Sequence, residues 1–275
     1  MKLYLIICLA LLTAAVRAQP SVGVYNITAD RWQVSENLNQ TRALASLTKL
    51  MTVMVSMDSD QDLQRVIQLR AASPRLRPGT YTRRTLITAV LVRSDNSAAE
   101  ALAEAHPQGR REFYRQMNRK AQELGMINTQ FQDASGLSNR NVSTAQDVIT
   151  MIRAADLYPI IAEISTKTQA DLELAQGRSV KRLQIINTNA RTLIEFDGIT
   201  VSKTGFTNSA GWCMALMVVK GSQRTAVVIL GADTQQRRFQ DLAEIMLNHV
   251  TDAEPEPPRP MTPGDMIRSW LGIMP

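Results

Sequence analysis

The chain has 275 residues, 44% of them hydrophobic, and 31 Lys and Arg against 25 Asp and Glu give a formal charge of +6. That length supports one large or two small domains around a proper core, and it excludes a disordered chain or a stapled mini-protein. Basic residues are scattered and only five Phe and five Tyr are available for stacking, so no nucleic-acid module is expected.

Residues 1–18 read as a secretory signal. Lys2 is the charged start, Leu3 to Val16 the apolar run, and Val16-Arg17-Ala18 the cleavage site before Gln19. The run is too short to predict a transmembrane helix. Cys8 lacks the small residues that precede a lipidated cysteine. Removing the segment takes Lys2 and Arg17 with it, lowers the charge to +4 and leaves Cys213 as the remaining cysteine. A secreted chain without an internal disulfide has to draw its stability from core packing. The mild basic excess suits an anionic polymer such as cell wall, and equally suits plain solubility.

From Ser21 to Ile27 apolar and polar residues alternate, Thr28-Ala29-Asp30 turns, and Arg31 to Glu36 alternates again, which predicts a β-hairpin. Leu44, Leu47, Leu50, Met51, Met54 and Val55 then fall at helical spacing, placing Ser46 in the first turn of a buried helix. Helical patterning runs from about Thr85 to Leu124, broken at Ser94-Asp95-Asn96 and at His106-Pro107-Gln108-Gly109. A loop is expected from Gln132 to Ser143 and a helix from Thr144 to about Ala155. Strands are predicted at Ile199 to Ser202, Trp212 to Val219 and Thr225 to Leu230, and a last helix from about Gln235 to Val250.

Strands at both ends with helices between them predict an α+β fold. One antiparallel sheet is built from the two chain ends, with flanking helices and an inserted helical subdomain. The expected organisation is a signal peptide (1–18), a catalytic domain (19–251), and a Pro-rich linker with a short apolar tail (252–275). The tail, Met266 to Met274, spans about two helical turns, which favours a ragged end or partner contact over weak peripheral membrane contact.

Three motifs occur in order: Ser46-Leu47-Thr48-Lys49, Ser94-Asp95-Asn96 and Lys203-Thr204-Gly205. Taken singly, each also reads as a helix cap, an inter-helix turn or a strand-end turn. Together they supply the polar groups of an active-site serine enzyme that needs no histidine. Residues i and i+3 share a helix face, so Lys49 reaches the Ser46 hydroxyl and can take its proton once burial, and the nearby Lys203 cation, have populated its neutral form. The helix N-terminus favours the oxyanion formed on attack. Ser94 can relay a proton to a leaving nitrogen, and the Asn96 amide can hold a substrate backbone. Lys203 and Thr204 suit a carboxylate, while Gly205 would let substrate backbone approach the strand. A second Ser-x-Asn, Ser35-Glu36-Asn37, precedes the nucleophile and is discarded on order. With His106 and His249 alone, and no Gly-x-Ser-x-Gly or His-Glu-x-x-His, a Ser-His-Asp triad or a catalytic metal lacks parts.

On these residues the chain resembles the serine penicillin-recognising enzymes, and within them the low-molecular-mass penicillin-binding proteins that act as D-alanyl-D-alanine carboxypeptidases and endopeptidases of peptidoglycan. The likeness runs from about Val22 to Val250 and includes Ala45 to Thr52, Leu91 to Glu100, Gly136-Leu137, Val142 to Ala145 and Lys203 to Gly211. Phe206-Thr207-Asn208 after the glycine looks most like the endopeptidase branch, as does the short segment after the last helix. The resemblance implies a β-lactamase/DD-peptidase-like fold, no cofactor or metal, and β-lactam antibiotics as covalent inhibitors. It implies Ser46 as acylated nucleophile, Lys49 as base, Ser94 as relay and Asn96 as substrate contact. Lys203 and Thr204 would bind the leaving carboxylate, and the Ser46 and Phe206 backbone N–H groups would form the oxyanion hole. A secreted, periplasmic DD-endopeptidase follows, with a carboxypeptidase as the alternative. A β-lactamase is disfavoured because no Glu-x-x-Leu-Asn lies between Asn128 and Asp147, and an inactive cell-wall-binding protein because the motifs are intact.

Overall fold

The computed structural model describes residues 19–176 and 179–251. The expected signal segment and apolar tail lie outside the described residues, among which no helix is long and apolar enough to cross a membrane.

The chain opens with the hairpin β1 (Ser21–Asn26) and β2 (Arg31–Glu36), followed by β3 (Arg42–Ala43), a 3₁₀ turn at Ala45–Leu47 and α1 (Thr48–Ser59). Next come β4 (Val66–Leu69), β5 (Gly79–Thr82), α2 (Arg83–Val92), α3 (Asn96–Glu104) and α4 (Arg110–Glu123). The second half runs through β6 (Val142–Ser143), α5 (Ala145–Ala155), α6 (Pro159–Ser165), β7 (Gln169–Gln176), β8 (Ser179–Ile186) and α7 (Ala190–Glu195). It closes with β9 (Ile199–Thr207), β10 (Gly211–Lys220), β11 (Gln223–Ala232) and α8 (Gln235–His249).

The main sheet has the order β2-β1-β11-β10-β9, antiparallel throughout, with Val24 opposite Val227 and Ala215 opposite Lys203. Both chain ends therefore contribute to one sheet, as the strand pattern predicts. The apolar runs of β10 and β11 are continuous because both faces are covered. Along β10, Cys213, Ala215 and Met217 enter the core shared with α1, α2 and α5, while Met214, Leu216 and Val218 face Leu242, Ile245 and Met246 of α8. Successive strand residues point to opposite faces, so one strand serves two cores. Burial of each such α8 side chain stabilises the packing by about 1.5–3 kcal/mol.

Threonine caps start three helices: Thr82, Thr144 and Thr234 accept from the backbone N–H of Thr85, Asp147 and Arg237 at 3.0–3.1 Å. The sequence reading missed the hairpins β4–β5 and β7–β8 and the short helices α6 and α7. Charged residues interrupt the alternation of β7 and β8, which have only one packed face: Leu172 and Ile185 are buried while Asp171 and Glu173 are exposed.

Candidate active site

The turn that carries Ser46 is held from below by apolar packing. Leu44, Leu47, Leu50, Met51 and Met54 are fully buried, so the start of α1 is anchored in the core and the half-buried Ser46 projects from it. Ser46 lies in the 3₁₀ turn ahead of α1 rather than in the first α-helical turn, as expected from periodicity alone. Three-residue spacing meets the tighter winding of 3₁₀ as readily as that of α-helix. Ala45, just before it, sits in the left-handed region at φ 45°, which costs an L-residue about 1–3 kcal/mol and persists because surrounding structure dictates it.

Two glycines do that dictating. A Cβ on Gly136 would stand 1.9 Å from the Ala45 carbonyl oxygen, and one on Gly205 would stand 3.0 Å from Ser46 N and 3.1 Å from Ala45 Cβ. The missing side chain at 205 thus makes room for the turn bearing Ser46.

Lys49 is completely buried. Its ammonium nitrogen donates to Ser46 Oγ at 2.9 Å, to Asn96 Oδ1 at 2.6 Å and to the Ser135 carbonyl. Burial pushes it down to about 7, against the pull of the Asp133, Asp95 and Glu100 carboxylates. The expected repulsion between the two lysines falls on Lys203 instead, which is held well below its ordinary value by burial, then by Lys49 and Arg238. Of two coupled cations, the one with no carboxylate to support it gives way first.

The Ser135 carbonyl is fixed by a loop that ties itself together. Asp133 Oδ1 accepts from the Ser135 and Gly136 N–H groups at 3.0 and 2.6 Å, and Oδ2 from the Ser138 N–H at 2.7 Å. Asn141, also fully buried, accepts from Gln132 N at 2.6 Å and donates to Asp133 Oδ1 at 2.9 Å and to Thr48 Oγ1 at 3.2 Å. The loop is thereby fastened to α1. Asp133, Ser135 and Asn141 were not singled out from sequence; the Gly/Ser/Asn-rich composition that marks the loop was the available signal.

Ser94 and Asp95 occupy the connection between α2 and α3, and Asn96 is the first residue of α3. Asp95 caps that helix by accepting from Ala98 N at 2.9 Å, which aims Asn96 back at Lys49. Ser94 has φ 61°, a second left-handed non-glycine residue at this site. Lys203, 1% exposed, donates to Ser94 Oγ at 3.0 Å and to the Thr204 carbonyl at 2.8 Å. Lys203, Thr204 and Gly205 lie within β9, which runs on to Thr207 and is longer than predicted. Thr204 shares a 2.8 Å hydroxyl hydrogen bond with Thr188. Phe206 is 47% exposed and packs against Trp212 with ring centroids 4.2 Å apart.

Among the described residues the sheet ends at β9, and the 3₁₀ turn packs against this strand at Gly205, beside its free edge. Such an edge presents main-chain groups on which an extended peptide can add as a further strand. Beneath it lies Arg238 of α8, a residue with no warning in sequence because α8 carries many polar side chains. It is 4% exposed, donates to the Cys213 carbonyl at 3.2 Å and has no hydrogen-bond partner for Nε. The eight predicted site residues thus come from the 3₁₀ turn, α1, the α2–α3 connection, α3 and β9. The arrangement offers a hydroxyl beside a lysine near neutrality, a second hydroxyl beside a second lysine, and buried cationic charge suited to an anion.

Residues 16–234 match the D-alanyl-D-alanine carboxypeptidase family. Among curated proteins, the chain is 31% identical to a D-alanyl-D-alanine endopeptidase of Escherichia coli over 83% of this chain and 76% of that one. It is 33% identical to a D-alanyl-D-alanine endopeptidase of Pseudomonas aeruginosa over 77% and 70%. Among solved structures, a penicillin-binding protein of Listeria monocytogenes in its cefotaxime-bound form superposes with a TM-score of 0.71 at 27% identity, covering 82% of this chain and 95% of that one. A Streptomyces DD-transpeptidase shares the fold at 22% identity and a TM-score of 0.77, with the same coverage.

Proposed function

The chain belongs to the D-alanyl-D-alanine carboxypeptidase family of serine peptidases, and from that premise we propose that it is a DD-endopeptidase cleaving D-Ala to meso-diaminopimelate cross-links of peptidoglycan, outside the cytoplasm and in the periplasm. The observation that carries the reading is the three-fold coordination of Lys49 Nζ. Neutral lysine has two N–H donors and one lone pair. With the donors on Asn96 Oδ1 and the Ser135 carbonyl, the lone pair is left for the Ser46 hydroxyl proton.

In this reading Ser46 Oγ attacks the D-Ala carbonyl as Lys49 takes its proton. The backbone N–H groups of Ser46 and Phe206 hold the oxyanion. When the scissile C–N bond breaks, Ser94, polarised by Lys203, passes a proton to the departing nitrogen, and Lys49 restores that proton to the relay. Water then attacks the acyl carbonyl with Lys49 as base, and Ser46 leaves as the hydroxyl. Lys203, Thr204 and Arg238 bind the carboxylate beside the leaving nitrogen, and its arrival restores the charge that burial disfavours on Lys203. Asn96 steadies the substrate backbone. No step calls on a metal or cofactor.

A terminal D-alanine and the D-centre of a cross-linked diaminopimelate carry that carboxylate at the same place, so carboxypeptidase activity on pentapeptides is the alternative; a relative in Bacillus subtilis, 28% identical, bears that name. The Listeria protein is solved with cefotaxime and with ampicillin, and β-lactams are proposed to acylate Ser46 here as well. The test is mass spectrometry of muropeptides after digestion of cross-linked peptidoglycan, with Ser46→Ala as control. Conversion of dimers to monomers supports the endopeptidase; loss of only a terminal alanine from pentapeptides overturns it in favour of the carboxypeptidase. A penicillin adduct that persists in Ser46→Ala overturns the nucleophile.

A further inference from the structure

Beside Thr204, between α7 and the first half of α8, lies a cleft of about 600 Å³ whose lining includes Thr188, Asn189, Arg191, Gln236, Arg238 and Gln240. Two of these residues tie it to the motif cluster. Thr188 is the hydrogen-bond partner of Thr204, and Arg238 is the buried guanidinium that acts on Lys203. Arg238 Nε, buried in the cleft wall, has no partner. Arg191 is held in place at the rim: its guanidinium stacks on Phe239 at 3.7 Å while Nε donates to Glu195 at 2.7 Å. Amides and guanidiniums line the space, and among the described residues lining it there is no carboxylate.

The chemistry of the leaving residue says what such a space is for. When the leaving residue is a terminal D-alanine, its carboxylate ends the substrate and its side chain is one methyl group. In a cross-link the same carbon carries three methylenes that lead into the rest of another stem peptide, with carboxylates of its own. A cleft lined by amides and two guanidiniums next to the carboxylate pocket matches the second substrate, whose leaving strand continues past the carboxylate.

We propose that the cleft between α7 and α8 is the subsite for the leaving strand of a cross-linked peptide, and that Arg191 pairs with a carboxylate of that strand and so favours cross-links over terminal D-alanine. The inference rests on the endopeptidase reading above. It makes Arg191 a specificity residue that does not touch the reacting atoms.

The experiment compares cleavage of a purified tetrapeptide–tetrapeptide cross-linked dimer with release of D-alanine from a pentapeptide monomer, using the wild type, Arg191→Gln, Arg191→Lys and Ala243→Trp, which fills the cleft from the α8 wall that Ala243 lines. Penicillin acylation of Ser46 in each protein reports folding and an intact nucleophile. For Arg191→Gln and Ala243→Trp, kcat/KM on the dimer is expected to fall about tenfold or more, with pentapeptide turnover and acylation within about twofold of wild type and Arg191→Lys partly restored. Parallel loss on both peptides, or an unchanged rate on the dimer, overturns the subsite. A wild type that is acylated but leaves dimers intact overturns the endopeptidase reading, and with it the substrate assigned to the cleft.

Discussion

Lys203 Nζ donates to Ser94 Oγ at 3.0 Å across 109 positions of sequence, joining a strand at the edge of the sheet to the connection between two helices. The contact spans the gap between the sheet and the helical region, and both partners meet where Ser46 and Lys49 lie. If Ser94 relays the proton to the leaving nitrogen, Ser94→Ala should lower peptide turnover about 100-fold or more, within the usual range for loss of general acid–base assistance. Steady-state release of D-alanine or of muropeptide monomers measures it. Turnover unchanged by the substitution would remove Ser94 from the relay.

Lys49 sets the pH dependence. Activity should rise with pH through about 7 as its neutral form is populated, and Lys49→Arg should be inactive throughout because arginine stays charged. Stability follows the same group. Since its folded-state value is depressed from 10.5 to about 7, the unfolded chain binds more protons between those limits, and folding is favoured increasingly as pH rises through the window. Urea midpoints at pH 7 and pH 9 should therefore show the wild type gaining on Lys49→Met. A constant difference between the two proteins would place the lysine near its ordinary value.

Gly136 and Gly125 share a left-handed φ, 82° and 78°, but a Cβ at Gly136 strikes the Ala45 carbonyl whereas one at Gly125 meets open space. Gly125→Ala should cost only the backbone preference, about 1 kcal/mol. Gly136→Ala should cost clearly more and displace the turn that carries Ser46, with a fall in penicillin acylation rate. Thermal melts and acylation kinetics on the pair separate collision from conformational preference. Equal effects would mean the turn does not depend on this contact.

Phe206 is proposed to act through its backbone. Phe206→Ala should keep acylation within about tenfold, whereas Phe206→Pro, which removes the N–H, should lose about 100-fold or more while circular dichroism stays native. Proline is tolerated on an edge strand, which makes the second variant informative. Full acylation of Phe206→Pro would move the oxyanion donor elsewhere.

The three motifs, their order, the terminal strands and most helices were legible in the chain because each depends on local rules: a three-residue spacing, an apolar alternation, a helical periodicity. The class of chemistry followed from them, since a serine and lysine one turn apart need no knowledge of distant residues. What only the tertiary structure decided were relations among segments far apart in sequence. The Ser135 carbonyl became a partner of Lys49 because Asp133 and Asn141 fold their loop against α1, and no periodicity records where a loop's backbone oxygen points. Gly205 turned out to accommodate the turn of Ser46, since close packing between a strand and a turn depends on how the layers meet. Arg238 and the cleft beside Thr204 came to light for the same reason. Burial of a charge and the shape of a cleft belong to the assembled chain, where desolvation is set by neighbours from every layer at once.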